Sequence, residues 1–112
     1  MSDSLQDVQD FFTDLDAKYN MLRAACKTDD DRTKLGVQYS RAEAAYQNCL
    51  NQQLVSDDPQ VATLATEFTA ASAVVKEAVK QMGDMSKVID GITDAVDIAA
   101  KIVGVVCPGV KI

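Results

Sequence analysis

The groups in this chain that could do chemistry are carboxylates and thiols, and their spacing limits what that chemistry can be. No histidine occurs among the 112 residues. That removes imidazole acid–base catalysis, Ser–His and Cys–His nucleophile pairs, and imidazole metal ligands. Glu43, Glu67 and Glu77 are the only glutamates and lie far apart, so the Glu-x-x-His pairs of a di-iron bundle are excluded. The run DDDRTKLG, which begins at Asp29, opens like a calcium loop. It lacks the alternating carboxylates, central glycine and closing glutamate that calcium requires, and reads instead as helix caps and solvated surface. GDMSK, from Gly83, has no partner glycine at the spacing of a phosphate loop.

Asp90, Asp94 and Asp97 fall on one helical stripe, with Lys101 four residues beyond Asp97. Opposite an apolar face, such a stripe is the wet side of an amphipathic helix. The three cysteines, Cys26, Cys49 and Cys107, are widely spaced and odd in number. They form no metal motif and no disulfide scaffold, and read as small buried apolar residues. Lys27 follows Cys26, but the position of Cys26 in the helical repeat points it inward, away from the role of an activated thiolate. The expectation is therefore no enzyme, no catalytic residue, no metal and no cofactor.

Such groups are positioned by elements, and composition says which kind. The chain is 47% hydrophobic and 25% charged, with five glycines, two prolines and no tryptophan. That suits one globular domain over 1–112, with an aliphatic core and few turns. The net charge of −6 is shared between the halves, since residues 1–55 carry nine acids and six bases and residues 56–112 carry eight and five. An acidic surface without a basic cluster repels phosphate backbones, so nucleic acid is not an expected partner. The start, MSDSLQDVQD, lacks the apolar core of a secretory signal, which makes the cytoplasm the default location and leaves export without a signal unaddressed.

Apolar residues recur at alternating spacings of three and four. Leu5, Val8, Phe12, Leu15, Tyr19, Leu22 and Cys26 make the first seam; Leu35, Tyr39, Ala42, Tyr46 and Cys49 make the second. Early aspartates and late Lys18, Arg23 and Lys27 match the dipole of the first helix. In SDDPQ an aspartate caps and Pro59 takes the first helical position, where its missing N–H costs nothing. Val61, Leu64, Phe68, Ala71, Val75, Ala78 and Met82 follow. Gly83 and Asp84 look like a C-cap and an N-cap, yet the seam continues in phase through Met85, Ile89, Ile92, Val96, Ala99, Val103 and Val106.

The reading is an all-α, antiparallel up-down-up-down four-helix bundle with helices over 3–27, 30–55, 58–82 and 85–106. The alternative has three helices, the last running unbroken over 58–106 for about 72 Å. Folding back at Gly83 is favoured because it hides the broad apolar face of the last segment inside the monomer.

Two faces could carry function. The third helix has one charge, Glu67, in the fifteen residues from Val61 to Val75, with Ala, Thr and Ser around its seam. Such a helix is either enclosed on more than one side or docks a partner. The last helix is apolar over far more than a seam, but its aspartates oppose crossing a bilayer or lying on an anionic one. The expected activity is protein–protein interaction or self-association through the third and fourth helices, with Phe68, Val75, Ile92, Val96 and Val103 as anchors. The competing class is a membrane-active protein, lipid-binding or pore-forming, that uses the last helix. In an assembled pore Gly91 and Gly104 would allow close packing.

Overall fold

A computed structural model describes residues 4–51, 59–81 and 84–106, with side chains over 7–48, 59–81 and 84–105. Four helices appear in it: α1 (Ser4–Ala25), α2 (Asp29–Asn51), α3 (Pro59–Gln81) and α4 (Met85–Val106). The fold-back between the third and fourth segments is present: α3 and α4 are separate helices packed along each other. Val55, expected as the end of the second helix, lies outside the described residues, as do the two candidate aspartate caps before Pro59.

The boundaries have local causes. Cys26 N–H bonds back to the Arg23 carbonyl at 3.2 Å and closes the last turn of α1. Arg32, one turn into α2, donates to the Cys26 carbonyl at 3.3 Å, so a cation from the next helix caps the negative end of α1. Thr28 caps α2, its hydroxyl accepting from the Asp31 N–H at 3.1 Å. The aspartates of the DDD run therefore occupy the first turn of α2, where the dipole favours them, and leave the cap itself to Thr28. At α4 the cap is Asp84, whose carboxylate accepts from the Ser86 N–H at 3.0 Å. Replacing Asp84 by Ala is expected to lower stability by about 1 kcal/mol, read as a shift in the urea midpoint.

The helices alternate in direction along the chain, and around the bundle they stand in the order α1, α2, α4, α3. Two antiparallel hairpins, α1/α2 and α3/α4, lie side by side, so α1 neighbours α3 and α2 neighbours α4 in the same direction. Chain-adjacent α2 and α3 occupy opposite corners. The breadth of the apolar face on α4 explains this order. Met85, Val88, Ile89, Ile92, Ala95, Val96, Ala99, Ile102 and Val103 are all buried, an arc wide enough to pack against two helices at once. The adjoining corner of α2 adds an ion pair, Arg41 to Asp97 at 2.7 Å.

From α1 the core takes Val8, Phe12, Leu15, Leu22 and Cys26, and from α2 it takes Leu35, Ala42 and Ala45. Aromatic side chains pack α1 against α2 and, at one point, against the other hairpin. Phe12 meets Tyr46 with ring centroids 4.9 Å apart, and Tyr19 meets Tyr39 at 4.3 Å. Phe11 packs edge-on to Phe68 of α3 at 5.4 Å.

Two glycines on buried or half-buried faces behave differently. A Cβ on Gly91 would lie 3.5 Å from a Val75 methyl and 4.0 Å from the Val75 Cα, so this glycine faces α3 directly across the α3/α4 seam. Gly36, near the start of α2, has ordinary helical surroundings. A Cβ there would meet only the Tyr19 hydroxyl, at 3.7 Å. Gly36→Ala is accordingly expected to stabilise the bundle by up to about 1 kcal/mol, measured by denaturant unfolding.

Candidate functional site

The five anchors expected from sequence are brought together, but inside the molecule. Phe68 and Val75 of α3 and Ile92, Val96 and Val103 of α4 are all buried in the single chain. They are the residues by which α3 and α4 hold each other and the other hairpin, so none of them is presented to an outside partner in this conformation.

What α3 does present is its outer face. Ala62, Thr66, Ala70 and Ala73 are exposed, and Val74 is 61% exposed. The expectation that such a helix is enclosed on more than one side does not hold; α4 is the enclosed helix, and α3 is a corner of the bundle. The physical reason is that α3 has only a narrow buried stripe, Val61, Ala65, Phe68 and Val75. The threonines on and beside the outer face are satisfied within the helix. Thr63, Thr66 and Thr69 donate to the carbonyls of Pro59, Ala62 and Ala65 at 3.1, 3.2 and 3.0 Å. Their hydroxyls are thus already paired, which lowers the cost of drying this surface. Met21 on α1 and Val37 on α2 are the other large apolar side chains exposed among the described residues, each on a different helix.

The aspartate stripe of α4 is on the wet side, with Asp90, Asp94 and Asp97 all exposed. Asp97 pairs with Arg41 across helices, a connection that spacing within α4 could not reveal. Among the described residues no group of three or more acidic or thiol side chains is placed to hold a metal ion. No helix among them is long and apolar enough to cross a membrane. Gly91 is occupied in packing within the monomer, while Gly104 is exposed with open space around it.

Cys26 is buried, and its Sγ donates to the Leu22 carbonyl at 3.4 Å. Burial pushes its thiol pKa up, Asp31 adds to that, and Arg32 opposes it. A raised pKa disfavours the thiolate, so this is a packing residue and a poor nucleophile. The side chain of Cys49 and the whole of Cys107 lie outside the described residues.

Among the described residues the most perturbed ionisable group is one that spacing marked only as a seam position. Tyr39 of α2 donates its hydroxyl to the Asp16 carboxylate of α1. That bond, then burial, then the Asp16 charge push the phenol up to about 12. The folded chain therefore keeps this proton where an unfolded one loses it near 10. Stability from the pair is fully present below about pH 10 and is lost as pH rises through about 12. Ultraviolet titration of the phenolates is expected to show one tyrosine ionising near 12, and Tyr39→Phe should remove that step. Asp16→Asn should return Tyr39 toward the ordinary tyrosine range.

One concavity stands out, a cleft of about 370 Å³ between α1 and α3. Phe11, Leu15, Leu22, Phe68, Val75 and Val79 supply its apolar surface. Within it the Ser72 hydroxyl is buried without a hydrogen-bond partner. No protein family, no curated protein and no solved structure matches this chain.

Proposed function

We propose that this chain is a non-enzymatic helical-bundle protein that works by contact with another protein or a second copy of itself, through α3 braced by α4. The observation that carries this reading is the outer face of α3. From Val61 to Val74 it has one charged side chain, the exposed Glu67, and its other exposed residues are Ala, Thr and Val. Small side chains let another helix approach closely, and drying such a face removes little charge from water. The role of α4 is support, because its apolar side is spent on the core and its outward side is the charged Asp90–Asp94–Asp97 stripe.

The test is a photo-crosslinking residue at Ala70, introduced into the full chain in its native cells and into the purified protein. Discrete adducts that disappear on Val74→Asp support the reading. In the purified protein a covalent dimer identifies a second copy as the partner. Val74 is exposed, so the substitution leaves folding intact, as circular dichroism should show. Absence of adducts in both settings rejects the α3 face.

A further inference from the structure

Four aromatic side chains form one row along the α1/α2 seam. Tyr19 meets Tyr39 with ring centroids 4.3 Å apart, Tyr39 meets Phe12 at 5.5 Å, and Phe12 meets Tyr46 at 4.9 Å. The chain has no tryptophan, so phenols and thiols are its readiest sources of a single electron. Of the thiols, Cys26 is buried and held protonated. All three tyrosines are half-buried, so exposure does not rank them.

What ranks them is a proton acceptor. Among the described residues, Tyr39 is the tyrosine whose hydroxyl donates to a carboxylate, that of Asp16 on α1. Taking one electron from a phenol leaves a radical cation that holds its proton only at high energy. A carboxylate in hydrogen-bond contact receives that proton as the electron leaves, and the product is a neutral radical. Asp16 is exposed and passes the proton on to water. Losing the proton alone would instead leave a phenolate beside the Asp16 charge. The hydrogen bond to Asp16, burial and the Asp16 charge all oppose that and push the phenol pKa up. The pair therefore disfavours the phenolate and favours the radical. The row enlarges the target. A radical formed on Tyr19 or Tyr46 is in ring contact, directly or through Phe12, with the phenol that has a base.

We propose that Tyr39 is a site of one-electron oxidation and nitration, with Asp16 as its proton acceptor and the aromatic row as its collector. The oxidant is a small radical of the nitrogen dioxide class. One nitrogen dioxide takes the electron and becomes nitrite, while the phenolic proton moves to Asp16. A second adds to the ring carbon beside the oxygen. The hydrogen on that carbon then transfers to the oxygen and restores the phenol. Two radicals are consumed, and a nitro group, a nitrite and a proton are formed. The site belongs to the α1/α2 hairpin and is independent of the protein contact assigned to the outer face of α3.

The experiment nitrates the purified full chain at neutral pH with peroxynitrite, a source of that radical, and separately with tetranitromethane, which attacks phenolates. Trypsin places the three tyrosines on separate peptides, so mass spectrometry reads each one. Peroxynitrite should nitrate Tyr39 at least about tenfold more than Tyr46. Tetranitromethane should reverse that order, because the phenolate of Tyr39 is the disfavoured one. Asp16→Asn keeps an oxygen that accepts the hydrogen bond but cannot take the proton. It should bring peroxynitrite nitration of Tyr39 down to the level of Tyr46. Asp16 is exposed, so the variant keeps the fold, as circular dichroism should show. The proposal is overturned by equal peroxynitrite nitration of the three tyrosines, by the same order with both reagents, or by nitration of Tyr39 that Asp16→Asn leaves unchanged.

Discussion

Val96→Asp is expected to unfold the bundle. Val96 is fully buried on the face of α4 that supplies most of the core, with Ile92 and Val103 one and two turns away. A carboxylate there has no cation within the core to meet it: the basic side chains described near α4, such as Arg41 and Lys34, are on the wet side of α2 with Asp97 and Asp90. Burying an unpaired charge, or protonating it to avoid that, together with the lost valine packing, costs about 4 kcal/mol or more. Domains of this size hold only about 5–15 kcal/mol in total. Far-ultraviolet circular dichroism under a urea gradient should show the cooperative transition lost or moved close to zero denaturant. The same burial means that Val96→Asp is no clean test of partner docking, because loss of binding would follow from loss of fold. Ala70 and Val74 are the positions at which docking can be tested without disturbing the core.

Truncation before Asp84 is expected to have a still larger effect. Of the 21 buried apolar residues described, nine belong to α4. Without them α2 and α3, which stand at opposite corners, are bridged by α1 alone, and the larger part of the cover on α3 is gone. The remaining chain should lose its cooperative urea transition and bind a hydrophobic dye, the signature of helices without fixed packing. A sharp, two-state transition in the truncated chain would show that α1–α3 form a core of their own. This bears on the membrane-active reading as well. For α4 to enter lipid it must leave the core, at a cost similar to that of unfolding. Liposome flotation of the intact chain at neutral pH is therefore expected to be negative, and flotation in acid should appear only where circular dichroism shows the bundle loosened.

Much of this architecture is legible in the residues themselves. The spacing of Val8, Phe12, Leu15 and Leu22, and of Met85, Ile89, Ile92, Val96, Ala99 and Val103, marks the buried stripes because a helix repeats every 3.6 residues and water excludes the apolar side. Pro59 and Asp84 mark helix starts because the first turn has spare N–H groups that a proline need not supply and a carboxylate can accept from. The absence of histidine bounds the chemistry before any fold is known.

Tertiary structure alone decided which helix stands beside which. Periodicity shows that a face is apolar but carries no label for its partner, so the placement of α4 between α2 and α3 depends on how four faces of unequal width share one core. For the same reason the anchors Phe68, Val75, Ile92, Val96 and Val103 were legible as apolar and helical, while their occupation inside the monomer was not. Arg41–Asp97, Tyr39–Asp16 and the Ser72 cleft each join residues distant in the chain. Their partners are set by the packing of helices, and no local pattern in the sequence encodes that.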